Sequence, residues 1–241
     1  MGNNQHLKRS KAPFGWPVKR KNITFVAKPN PGSYSLKYVV PVVVVLRDIL
    51  KYTSTAKEAK YIVYEKGVLV NGKKVSDINH PVGIFDVFEI TASNEKFLVT
   101  INQLGKFELV KCSDDLLYLR ISGKQIRGTE SFQLNFMNGY NRLVDKKVFD
   151  SAKVNDTVVL DFKKNKIEKV LPLKEGSFAF FYDGKLKGQI AEIKGFNAYN
   201  GITRDVISVE SADGTANSTA KDYAYVVGLG KADVKRFLKN E

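Results

Sequence analysis

The sequence predicts a mostly β, multi-domain α+β protein, and three observations carry that prediction. Short apolar–polar alternations (KFLVTI, GKFELV, LLYLRI, SFQLNF, DTVVLDF) recur from residue 96 onward, with the period of two that suits half-buried strands. Helical periodicity is carried mainly by residues 42–66. Neither period is present before residue 41. With 241 residues and 43% hydrophobic content, the chain can build one to three small cores.

Residues 1–40 form a basic extended arm. They hold eight basic residues (Lys8, Arg9, Lys11, Lys19, Arg20, Lys21, Lys28 and Lys37) and no acid, so +8 of the chain's net charge of +14 sits in its first sixth. Pro13, Pro17, Pro29 and Pro31 favour extended backbone, and such a charged segment predicts an arm without order of its own. Yet Phe14, Trp16 and Phe25 stand among the cations. Rings interleaved with Lys and Arg suit RNA, where aromatics stack on bases and cations meet phosphates. A surplus of +14 points to a polyanionic partner rather than a small acidic substrate.

Residues 41–90 read as helix, turn, helix, hairpin. Pro41 suits a helix start. In VVVVLRDILKY four valines favour a strand, but Val42, Val45, Leu46 and Ile49 make an i, i+3, i+4, i+7 face. On that helix Arg47 and Lys51 are i, i+4 and share a side. Thr55-Ala56-Lys57-Glu58 is a capping box opening a second helix, with Lys57 and Lys60 one turn apart and Gly67 as its C′ stop.

The stretch GVLVNGKKV, Gly67 to Val75, matches G-x-x-x-x-G-K but has Lys74 where magnesium coordination needs Ser or Thr. Val68, Leu69 and Val70 favour extended chain rather than a phosphate cradle, and Asn71-Gly72 is the two-residue signal of a tight hairpin. The stretch therefore reads as a hairpin presenting Lys73 and Lys74.

Residues 91–175 read as an all-β region with turns at Asn138-Gly139 and Asn155-Asp156. Residues 176–241 repeat that style in SFAFFYDG, KGQIAEIKGF, DVISVES and AYVVGLG, about the size of a small five-stranded barrel. A short helix is expected at residues 232–239.

Little in the chain suggests catalysis. His6 and His80 stand apart from the single Cys112, so no zinc spacing exists. Cys112 reads as an ordinary core residue and, being alone, excludes an internal disulfide. Adjacent Asp114 and Asp115 on a strand would point to opposite faces. The tetrapeptide Gly228–Lys231 is too short for a dinucleotide fingerprint. The longest apolar run, Val39 to Leu46, contains Pro41 and is too short to span a bilayer, and no signal peptide is evident. No cofactor, metal, membrane or small-molecule substrate is expected.

Four segments carry a family resemblance. HLKRSKAPFGWPVKRK (His6–Lys21), PVVVVLRDILKYTSTAKEAK (Pro41–Lys60), HPVGIFDVFEI (His80–Ile90) and KVNDTVVLD (Lys153–Asp161) resemble, in that order, small-subunit ribosomal protein four of the eukaryotic and archaeal type. The resemblance spans essentially the whole chain. It implies that residues 41–90 are a helix–helix–hairpin RNA-binding module and that 91–175 are the family's own β domain. GSFAFFYDGKLKGQIAEIKG (Gly176–Gly195) resembles a KOW motif, which implies an SH3-like barrel over 176–241; its Asp183–Gly188 loop is less rich in glycine and asparagine than the motif's usual turn.

The implied role is that of a structural, non-enzymatic constituent of the small ribosomal subunit, cytoplasmic and on the ribosome. Its implied partners are small-subunit ribosomal RNA and neighbouring ribosomal proteins. Lys8, Arg9, Lys11 and Trp16 match the family's arm, Arg47, Leu50, Lys51 and Tyr52 its first helix, and Lys73 its hairpin. Lys19, Arg20, Lys21, Lys57, Lys60 and Lys74 join them as RNA-binding candidates by charge and placement. Two other readings stay open: an RNA-modifying enzyme such as a pseudouridine synthase, which would need a larger α/β domain with a catalytic aspartate, and a factor that binds ribosomal subunits transiently.

Overall fold

The computed structural model describes residues 6–21, 23–32, 34–128, 131–197, 205–210, 215–230 and 237. The chain divides into two compact units, Met1–Asp115 and Leu116–Glu241.

In the first unit, strand Val39–Pro41 pairs antiparallel with Pro81–Gly83. Pro41 keeps an extended ψ of 148° and caps the helix rather than opening it. The chain then turns α-helical over Val42–Val44 and π-helical over Val45–Ile49. Helix therefore wins over the β preference of the valines. The reason is burial: Val42 to Leu46 are all enclosed, and a helix apolar on every side is one that sits inside a core. The wider last turn closes through the Leu50 N–H to the Val45 carbonyl (2.9 Å) and the Tyr52 N–H to the Leu46 carbonyl (2.9 Å).

The second helix runs α-helical over Ala56–Tyr61 and π-helical over Ile62–Gly67. Its capping box forms as the spacing predicts. The Glu58 N–H donates to Thr55 Oγ1 (3.2 Å), and the Glu58 carboxylate accepts from the Ser54 N–H (2.8 Å) and the Thr55 N–H (3.4 Å). Those backbone donors hold the Glu58 pKa below its ordinary value. Gly67, at φ 77°, ends the helix.

Five antiparallel strands follow in the order Lys73–Lys74, Val68–Val70, Val87–Ile90, Glu95–Ile101, Phe107–Cys112. The sequence reading ended this module at residue 90; here the next two strands extend its sheet and the unit runs to Asp115. Phe97, Leu98, Val99 and Phe107 on these two strands are all buried.

The second unit holds two five-stranded antiparallel sheets. The central one has the order Asn141–Val144, Ser131–Phe136, Leu116–Arg127, Thr157–Asp161, Lys166–Leu171. Its long middle strand shifts register between Ile121 and Gly123, pairing with Thr157–Asp161 on one side of the bulge and Ser131–Phe136 on the other. The C-terminal sheet has the order Ala216–Ala220, Val206–Glu210, Ile190–Asn197, Phe178–Phe181, Ala224–Gly228. It closes on a core of Phe181, Leu186, Ile193, Ile207 and Val209, in keeping with the expected small β module. The helix expected at residues 232–239 lies outside the described residues, Phe237 excepted. The fold is mostly β with a few short helices, as the sequence predicts.

Arg120 joins the two sheets of this unit. Its guanidinium donates to Asn155 Oδ1 (2.6 Å), the Tyr182 hydroxyl (3.4 Å) and the Asp222 carbonyl, while its own N–H donates to the Tyr225 hydroxyl (3.2 Å). A further link runs from the Val226 N–H to Thr157 Oγ1 (3.1 Å).

Candidate nucleic-acid interface

The N-terminal segment is where the structure departs most from the sequence reading. It is not simply extended. Leu7–Lys8 pairs with Phe25–Val26, and Arg9–Lys11 forms a 3-10 turn. The Arg9 guanidinium, expected to meet phosphate, is buried and donates to the Lys19 carbonyl (2.9 Å); Arg20 reaches the Ser10 carbonyl (3.4 Å).

Trp16, expected to stack on bases, is only 3% exposed and its indole N–H donates to the Val39 carbonyl (2.7 Å). A second tie runs from the Phe107 N–H to the Gly15 carbonyl (2.9 Å), and a Cβ at Gly15 would sit 2.8 Å from the Gly105 carbonyl oxygen. Glycine is required there by the close approach of two backbones.

The fold-back brings Lys8 and Lys11 to the same loop as Lys19, Arg20 and Lys21, all exposed, in a segment without a single acid. A concentration of cations of this kind raises local potential far above that of scattered lysines. Phe14, 65% exposed, is the ring this loop presents outward.

On the first helix the expected Arg47–Lys51 face is absent. Arg47 is clasped by the neighbouring Asp48, with Nη2 at 2.7 Å and Nε at 3.1 Å from one carboxylate oxygen. Lys51 lies beyond the helix at φ 59°, the left-handed residue that stops it. A π turn consumes more residues than an α turn, so the i, i+4 geometry behind the pairing does not hold.

The second helix and the hairpin follow the reading more closely. Lys57 and Lys60 are both exposed on the outer side, opposite the buried Ala59 and Val63. Lys73 and Lys74 are exposed just past the turn, with Val70 opposite Lys73 and Leu69 opposite Lys74. The turn residues Asn71 (φ 53°) and Gly72 (φ 75°) both take the positive φ of a type I′ turn.

Beneath the hairpin is an anchor that sequence reasoning missed. Asp86 is fully enclosed; its carboxylate accepts from Asn71 Nδ2 (2.8 Å), the Gly83 N–H (2.7 Å) and the Tyr34 hydroxyl (3.4 Å). Asn71 Oδ1 in turn accepts from the Val87 N–H (2.8 Å). Burial raises the Asp86 pKa against the pull of these donors. Tyr34 packs so tightly that a Cβ at Gly83 would fall 2.2 Å from its ring. The Asn-Gly turn was legible in the sequence; that the asparagine also serves as a buried link to an aspartate fifteen residues on was not.

Among the described residues no group of three or more His, Cys, Asp or Glu side chains could hold a metal ion, and no helix is long and apolar enough to cross a membrane. The Asp115 carboxylate pairs with Lys96. What the first unit offers is positive charge on rigid supports: a folded basic loop, a helix face and a hairpin.

Comparison with known proteins identifies the family. Residues 1–37 match the RS4NT (NUC023) domain and residues 93–167 match the profile described as Ribosomal family S4e. The small ribosomal subunit protein eS4 of Methanococcus maripaludis is 33% identical over 235 residues, 94% of this chain and 95% of that protein. That of Methanocaldococcus jannaschii is 32% identical over 233 residues, with the same coverage. The crystal structure of the 30S ribosomal protein S4e from Thermoplasma acidophilum superimposes with a TM-score of 0.67 at 27% identity, covering 80% of this chain and 97% of that one. With a third of its residues identical across nearly the full length of such relatives, the chain belongs to ribosomal family S4e.

Proposed function

We propose that this chain is a structural constituent of the small ribosomal subunit, not an enzyme, and that it binds small-subunit ribosomal RNA mainly through phosphate contacts. The observation that carries the reading is the gathering of Lys8, Lys11, Lys19, Arg20 and Lys21 on one acid-free loop of a chain whose relatives are small-subunit proteins. Lys57 and Lys60 on the second helix and Lys73 and Lys74 on the hairpin extend the cationic surface. Contacts of this kind position a protein on RNA rather than read its sequence. The second unit faces neighbouring ribosomal proteins or RNA, and the protein resides on cytoplasmic ribosomes.

Arg47, Arg9 and Trp16 act through the fold in this reading: Arg47 is neutralised by Asp48, and Arg9 and Trp16 shape the loop that displays the other cations.

The test is the salt dependence of binding between the purified full chain and small-subunit ribosomal RNA. Removing one cation from a phosphate lowers the slope of log affinity against log salt by roughly 0.7–0.9. Replacing Lys73 and Lys74 together by alanine should lower it by up to twice that, whereas Arg47→Ala should leave it unchanged. A slope that falls with Arg47→Ala and not with the hairpin pair would reverse the assignment.

A further inference from the structure

The outer face of the second helix carries more than charge. Lys57, Lys60 and Tyr61 stand at i, i+3 and i+4 on the α-helical part and share one side. Tyr64, in the π-helical turn that follows, joins this stripe through its contact with Lys60, while Ala59 and Val63 are buried. Tyr61 is 58% exposed and Tyr64 51%. The Lys60 ammonium sits 5.6 Å from the centroid of the Tyr64 ring, so ring and cation share one patch.

We infer that this stripe is a binding surface for unpaired RNA nucleotides, with Tyr61 and Tyr64 as stacking rings and Lys57 and Lys60 as phosphate partners. The inference rests on the RNA-binding reading above and goes beyond it by naming the state of the RNA. A duplex offers a helix face only phosphates and sugars, for which lysines suffice. An aromatic ring gains by contact with a base only where the base is unstacked and turned outward.

The acids around the stripe are held by other partners, and Asp77 keeps a charge that also interacts with Lys60. Glu58 is turned back onto the helix cap, accepting from the Ser54 and Thr55 N–H groups. Asp77 is engaged by Asn30 Nδ2 (2.6 Å) and the Asn79 N–H (3.0 Å). Glu65 is the one acid of this helix that stands outside the cap, and Lys66 is exposed beside it.

The experiment compares the full chain binding a short, unstructured single-stranded RNA with its binding to the same strand annealed to its complement. Expected for the Tyr61→Ala/Tyr64→Ala variant is a loss of single-strand affinity of roughly 5- to 150-fold per engaged ring. Duplex affinity and the salt slope should stay near their original values, and Tyr61→Phe/Tyr64→Phe, which keeps both rings, should restore binding. Lys57→Ala/Lys60→Ala should instead lower the salt slope for both RNAs. Because all four side chains are exposed, melting temperatures should not move.

Unchanged single-strand affinity in the double alanine variant overturns the inference. So does an equal loss on single strand and duplex. Tyrosine variants that bind RNA normally but fail to enter small-subunit particles would also overturn it, assigning the stripe to a protein neighbour. A wild-type chain that binds neither RNA would overturn the RNA-binding reading itself.

Discussion

Trp16 shows how a residue's role follows from its surroundings rather than its type. Its ring is enclosed and its N–H committed to the Val39 carbonyl, so Trp16→Ala should cost about 3–5 kcal/mol by cavity formation, and the stranded carbonyl adds to that loss. A urea titration followed by circular dichroism measures it. Phe14→Ala, on an exposed ring of the same loop, should leave the midpoint nearly unchanged while weakening RNA binding.

Asp86 has a comparable structural role with a pH signature. Its pKa is raised by burial, so the folded state holds its proton more tightly than the unfolded chain. The Asp86 contribution is therefore fully present below the ordinary carboxylate value of 3.8 and is lost as pH rises through the higher folded value. His80 is shifted the other way, its pKa lowered by burial. Its contribution is present above the ordinary value of 6.5 and lost as pH falls through the folded value. Stability profiles of Asp86→Asn and His80→Gln, each compared with the original chain over pH 3–8, should flatten in these opposite senses.

At the scale of elements, the second helix and the hairpin were legible because their signals are local. Thr55 and Glu58 form the cap that their spacing specifies, Gly67 ends the helix, and Asn71-Gly72 makes the turn. Thr55→Ala should cost about 1 kcal/mol, measurable as a shift in the urea midpoint. Other elements depend on partners distant in sequence. The helix at Val42–Ile49 ends in a π turn that carries Lys51 off the expected face, and nothing local announces it. The Arg9–Lys19 fold-back needs Phe25–Val26 as a strand partner, and proline spacing alone reads as extended chain. Alternation identifies a strand but not the sheet it joins, so it gave no sign that Glu95–Ile101 and Phe107–Cys112 continue the sheet of Val87–Ile90. Arg120 lies in the LLYLRI alternation, where nothing local marks its role. Removing its guanidinium by Arg120→Met should cost roughly 1–3 kcal/mol, because the hydroxyl, carbonyl and amide acceptors it serves lose their donor, and Arg120→Lys should rescue little because a single ammonium cannot reach the same acceptors.

For the whole molecule, the division of labour follows the charge. More than half of the +14 lies in the first 40 residues, and the described part of that segment is folded within the first unit rather than trailing from it. The second unit has its own two sheets and core, and Arg120 ties them together. Such a chain binds a polyanion by many modest contacts, each screened by salt, and is retained only where those contacts are numerous and partly enclosed. The most direct test is sedimentation of ribosomal particles through sucrose gradients at low and then high salt, with the protein quantified against small-subunit RNA. One copy per small subunit, retained through the high-salt wash, is the predicted result. Occupancy well below one, lost at moderate salt, would contradict a permanent structural role and indicate a transiently bound factor.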